Sequence, residues 1–183
     1  MKKILTAFVL AFVTVFASAQ DIPAGVRMEF TEIEQNDFQY SIFSYKDGTG
    51  TVGYYLSLGR EVDLLEIFRD DDSDFSLGHV DEICLLLGAT ADEASATLDS
   101  LAALLDENPG TTAEFPCRLT GGAEKLSVPG TLNCLVVKRF LQGKRLCFQF
   151  VNGRHTAEVD LTKSSLKSLR WGFNLGRKMH PNW

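Results

Sequence analysis

Asp70, Asp72 and Asp74 stand at alternate places in the run Asp70-Asp71-Asp72-Ser73-Asp74. That is the spacing at which the carboxylates of a calcium loop converge on one hard cation. Leu77 would take the apolar eighth place and Asp81 the twelfth. The sixth place, where such a loop needs glycine for its sharp bend, is Phe75, for which a positive φ costs about 1 kcal/mol or more. The run therefore reads first as a solvated acidic loop and second as a weak extracellular calcium site with these three aspartates as ligands.

Cys84, Cys117, Cys134 and Cys147 are spaced by 33, 17 and 13 residues. These spacings match no zinc pattern and contain no C-x-x-C pair, so in an oxidising compartment the four thiols are disulfide candidates. A two-residue turn at Gln142-Gly143 would set Cys134 opposite Val151 and Cys147 opposite Lys138. Their sulfurs would then lie about 13 Å apart along the strands, beyond disulfide reach. Bridges are instead expected from this hairpin to Cys84 and Cys117, with free buried thiols as the alternative, since cysteine is also a good small core residue.

Catalytic chemistry finds little to build on. No G-x-S-x-G elbow, H-E-x-x-H pair, phosphate-binding glycine loop or dinucleotide fingerprint occurs in the chain. The histidines are His79, His155 and His180. Cys147, His155 and Asp160 compose a nucleophile, base and orienting acid on paper, but a thiol in an apolar strand is a poor nucleophile because burial raises its pKa. No catalytic residue and no cofactor is assigned. A small hydrolase acting on a glycan or envelope polymer, its site assembled only by the fold, is the alternative to a binding protein.

Two sets of residues fit binding. All four tyrosines, Tyr40, Tyr45, Tyr54 and Tyr55, lie about an Asp47-Gly48 turn. With a two-residue turn, Tyr40 faces Tyr55 while Tyr45 and Tyr54 project from the other face. Such rings either stack on sugars or partners, or pack within a core. The second set follows from charge. The chain carries a net −6, but residues 20–137 hold 6 basic and 22 acidic side chains, whereas residues 138–183 hold 10 basic and 2 acidic. Lys163, Lys167 and Arg170 fall on one arc of a helix, and Arg177 and Lys178 follow it. These five cations suit an anionic partner such as phospholipid, lipopolysaccharide or a polyanionic glycan. The competing reading is that they neutralise the chain's own acidic body. The net negative charge argues against a nucleic-acid partner.

The elements that must hold these residues are legible in outline. Lys2 and Lys3, the apolar run from Ile4 to Phe16, and Ala17-Ser18-Ala19 have the layout of a signal peptide over residues 1–19, cleaved before Gln20. The apolar run is too short to span a bilayer permanently, so a periplasmic or extracellular protein without a membrane anchor is expected. Residues 20–183 then form one domain. Strands are expected over Val26–Glu34, Phe38–Tyr45, Thr51–Leu58 and Glu114–Leu119, the last near a sheet edge because of Pro116. A second hairpin is expected over Leu132–Leu141 and Lys144–Val151. Thr90–Asp106 reads as a helix opened by a Thr90/Glu93 capping box, and Thr162–Phe173 as a second helix. Val62–Phe68 and Val80–Leu87 suit helix or strand equally.

The expected fold is α+β: a single layer-packed domain with an antiparallel sheet, made of an N-terminal β-meander plus a C-terminal β-hairpin, covered by two to four helices. The expected role is a non-catalytic binding or envelope-interaction module whose partner is an envelope component, a glycan or a protein.

Overall fold

The computed structural model describes residues 25–35, 38–46, 52–58, 82–120, 126–141, 143–152 and 155–181. The expected leader, the Asp47-Gly48 turn, Val62–Phe68, the acidic run with Asp70, Asp72 and Asp74, and His79 lie outside the described residues. Eight strands are present: β1 (Val26–Gln35), β2 (Phe38–Lys46), β3 (Val52–Leu58), β4 (Glu82–Gly88), β5 (Thr112–Thr120), β6 (Leu126–Arg139), β7 (Gly143–Asn152) and β8 (His155–Thr162). Two helices are described, α1 (Ala91–Asp106) and α2 (Lys163–Met179).

The expectation of a meander plus a separate hairpin is corrected by the sheet order. All eight strands form one antiparallel sheet in sequence order, β1 to β8, and among the described residues two helices cover it, at the low end of the two to four expected. His155, which lies beyond the second expected hairpin, opens β8, which pairs along its length with β7. Pro116 is not on an outer strand either, since β5 lies between β4 and β6. It is tolerated because the β4–β5 ladder ends at the Leu85–Cys117 pair. Pro116 follows that end and owes no N–H to a neighbour on that side.

One face of the sheet builds the main core. Tyr40, Ile42, Leu56, Leu58, Ile83, Leu85, Leu132, Val136, Leu146, Phe148, Val159 and Leu161 are buried there against Leu98 and Leu101 of α1 and Leu166, Leu169 and Phe173 of α2. Helix α1 starts as its sequence dictates: the Glu93 N–H donates to Thr90 Oγ1, and Glu93 Oε2 accepts from the N–H groups of Ala89 and Thr90. At its other end, Lys144 Nζ donates to the carbonyls of Asp106 and Glu107 at 2.9 and 2.6 Å, a cation placed where the helix dipole is negative.

Helix α2 starts at the expected place, with Thr162 as N-cap, but runs six residues beyond Phe173. Gly172 and Gly176 look like interruptions in the sequence, yet they are the points where the helix meets β1. A Cβ on Gly172 would stand 2.6 Å from the Thr31 Cβ, and one on Gly176 about 3.0 Å from the Phe30 ring. Strand β1 meets them through a bulge between Glu29 and Thr31, which breaks the alternation of its side chains. Before the bulge Arg27 and Glu29 face away from the helices; after it Ile33 packs with the main core, opposite Tyr40.

The two ends of the sheet are also tied to each other. Tyr40 Oη and Gln35 Nε2 both donate to the Asp160 carbonyl of β8, at 2.8 and 3.0 Å. Gln35 Oε1 accepts from the Thr162 N–H and hydroxyl. The sheet is thus curled until its first two strands reach its last.

Candidate functional site

The five cations singled out in the sequence do not form one free basic patch. Lys163 pairs with Asp106 at 2.8 Å, Arg177 with Asp92 at 2.6 Å, and Arg170 with Asp99. Each step of seven residues along α2 matches a step of seven back along α1, so the antiparallel helices are joined by a ladder with two-turn spacing. The hydrogen bond and charge of Lys163 hold the Asp106 carboxyl below its ordinary range. These three cations therefore neutralise the chain's own acids, which is the competing reading of the basic C-terminal region. Exposed pairs of this kind contribute little each. Lys167 and Lys178 have no ion-pair partner among the described residues and are exposed.

What the two remaining lysines flank was not evident from the charge pattern. Trp171, Leu175 and Met179 are 69%, 44% and 48% exposed. They follow one another at i, i+4 and i+8, so they climb one side of α2 in steps of about 40°. Lys167 and Lys178 lie beside Trp171 on the same outward arc, and α2 contains no acidic residue. The sequence held a signal for this row, its i+4 spacing. The more strongly apolar Leu166, Leu169 and Phe173 are buried and drew the amphipathic reading to the opposite face.

A second exposed apolar feature lies at the β6–β7 turn, where Phe140 is 90% and Leu141 91% exposed. The turn is one residue longer than the sequence implied. Arg139 pairs with Gly143, leaving residues 140–142 as the loop, and Leu141 adopts a left-handed φ of 62°. The shifted register places Cys134 opposite Phe148 and Cys147 opposite Leu135, correcting the Val151 and Lys138 partners.

All four cysteines are buried and unbridged. Their places on the sheet explain why. Cys117 and Cys134 belong to the helix-covered core, and Cys84 to the small cluster on the other face. Cys147 lies beside Leu146 and Phe148, which point to the helices, and so itself points away. Cys84 and Cys117 are on adjacent strands but opposite faces, as are Cys134 and Cys147. Cys117 pairs with Gly130, four residues from Cys134, about 13 Å along β6. Expected bridges from the hairpin to Cys84 and Cys117 are therefore not formed.

Burial pushes the Cys117 thiol up to about 11 and those of Cys134 and Cys147 up to about 12, with Glu158 and Asp160 adding to the effect at Cys147. Asp160 is itself held by Arg139 and Arg145 at 3.3 and 3.5 Å. Cys147 and Asp160 are thus neighbours, but the acid disfavours the thiolate that a nucleophile needs. At pH 8, iodoacetamide should modify the native thiols about 100-fold more slowly than an exposed cysteine. Unfolding without reductant should release all four. A fast native thiol, or fewer than four after unfolding, would contradict the arrangement. Because these pKa values are raised, the thiols contribute stability in full below about pH 9, and lose it as pH rises through 11 to 12.

The tyrosines form no platform for a sugar. Tyr40, Tyr45, Tyr54 and Tyr55 are all buried. The β2–β3 register sets Tyr40 opposite Leu58, not Tyr55, and Phe43 opposite Tyr55. Tyr54 packs on Phe30 and Phe173 inside the main core, and Tyr55 stacks on Phe43 at 5.5 Å on the other face. There the Arg27 guanidinium lies 3.6 Å from the Phe43 ring centroid and bonds to Glu82 at 2.7 Å. Among the described residues no group of His, Cys, Asp and Glu is arranged to hold a metal ion. No described helix is long and apolar enough to cross a membrane. Comparison with known proteins returns no matching family model, curated protein or solved structure.

Proposed function

We propose that the chain is an exported, non-catalytic binding module that docks on a protein of the cell envelope through the outer face of α2. The observation that carries this reading is the row Trp171, Leu175 and Met179, exposed on a helix whose other sides are fixed by core packing and by the Asp92–Asp99–Asp106 ladder. A helix held by its core face and by this ladder presents its outer face without further ordering cost. An i, i+4, i+8 row headed by tryptophan is the pattern by which helices seat in apolar grooves. Lys167 and Lys178 favour acidic groups at the rim of that groove. The leader-like layout of residues 1–19 supports an encounter outside the cytosol.

A photo-crosslinking residue at Leu175, introduced in the producing cell, should give a discrete adduct with an envelope protein. The same residue at Ser100, exposed on α1, should not. Trp171→Glu should reduce the Leu175 adduct at least about tenfold, since loss of a buried interface tryptophan exceeds 1.4 kcal/mol. Equal labelling from both positions, or none from Leu175, would end the proposal.

A further inference from the structure

The β6–β7 turn presents its two apolar side chains where both solvent and backbone oppose them. Phe140 and Leu141 are adjacent and about nine-tenths exposed. Leu141 holds a left-handed φ of 62°, a conformation that glycine or asparagine adopts more readily. The strands beneath are regular, with Lys138 opposite Lys144 and Arg139 opposite Gly143. Lys138, Arg139, Lys144 and Arg145 therefore surround the tip, and residues 138–145 contain no acid. Asp160 answers Arg139 and Arg145, and Lys144 is engaged with the end of α1. Lys138 has no ion-pair partner among the described residues. Like charges directly opposite across two strands disfavour the pairing, so this turn concentrates positive charge at some cost.

We infer that this turn is a membrane-inserting finger that seats Phe140 and Leu141 in the interface of an anionic lipid bilayer. The tip is convex, so it fits a soft surface that opens to receive it. Anionic headgroups supply the counter-charge for Lys138 and its neighbours, while the acyl boundary beneath takes the two apolar side chains. This contact is separate from the protein contact proposed for α2 and does not rest on it.

Co-sedimentation of the protein as purified from its cell tests the inference, using liposomes of phosphatidylcholine with and without 30% (roughly, a common anionic fraction) phosphatidylglycerol. Binding should require the anionic lipid. The double variant Phe140→Ser/Leu141→Ser should weaken it about 100-fold, the loss expected on withholding two large apolar side chains from the interface. Lys138→Glu should weaken it about tenfold. Comparison with variants that share the same N-terminus cancels any contribution of residues 1–24. Leu141→Gly separates binding from folding: it should raise the melting temperature by relieving the backbone while weakening vesicle binding. Absence of binding to anionic vesicles, equal binding to both liposomes, or binding untouched by the double serine variant would each overturn the inference.

Discussion

Phe173→Ala should lower the unfolding free energy by about 3–5 kcal/mol, the cost of emptying a fully packed aromatic site. Phe173 is wholly buried and is the side chain by which α2 grips the sheet. Its ring meets Phe30 of β1 edge-on at 5.3 Å and Tyr54 of β3 at 6.1 Å, and the Arg177 guanidinium lies 5.9 Å from its centroid. Gly172 and Gly176 already bring helix and strand into close contact there, so little further collapse of α2 onto β1 is available to close the space. The melting temperature should fall by about 10 °C or more for a domain of this size. Phe173→Leu, which keeps most of the volume, should cost less than half as much. Urea titrations read both values. An alanine variant within about 1 kcal/mol of the parent would show that α2 is not anchored here.

Arg27→Ala should cost about as much, about 3–5 kcal/mol, because it takes two hydrogen bonds and a counter-charge from a buried carboxylate. Glu82 is only 3% exposed and receives Arg27 at 2.7 and 3.2 Å. The same guanidinium bonds to Glu29 at 2.9 Å and Ser41 at 3.1 Å. Burial alone would lower the Arg27 pKa, but the hydrogen bond and charge of Glu82 outweigh it and leave the pKa raised. The greater part of the loss should come from the weaker compensation of the buried Glu82 charge, not from a net gain of the pair. Arg27→Ala/Glu82→Ala should therefore be more stable than Arg27→Ala alone. A double variant no better than the single, in the same urea titration, would refute that account.

The elements of this fold were mostly legible; their registers were not. The capping box of α1 and the aromatic and β-branched composition of β2 and β3 depend on local chemistry that the sequence displays directly. Register depends on loop length. Placing a two-residue turn at Asp47-Gly48 paired Tyr40 with Tyr55, whereas the observed register pairs Tyr40 with Leu58. That offset of three moves Tyr55 to the face opposite Tyr40, because strand side chains alternate. At the β6–β7 turn the obstacle was Leu141, a residue not expected at positive φ. On α2, the sequence ended the helix at Phe173, because the contacts of Gly172 and Gly176 with Thr31 and Phe30 lie some 140 residues away in the chain.

The candidate surfaces were half visible. The cations were found, but the heptad match of Lys163, Arg170 and Arg177 to Asp106, Asp99 and Asp92 needs the relative placement of two helices. The tyrosines were found with two environments open, a sugar platform or a core, because aromatic residues about a turn look alike whether a helix covers them or not; the structure gives the core.

The bonds from Tyr40 and Gln35 to Asp160 bear on how the molecule assembles. Each strand meets a neighbour close in sequence, so the meander can zip locally, whereas Gln35 must find Asp160 across 125 positions. That late fastening brings an outer strand's carbonyl under the guard of side chains, where it no longer invites a stray strand from another molecule. Until it closes, the curled sheet has two raw borders, and the interval before closure is when the chain is most exposed to misassociation.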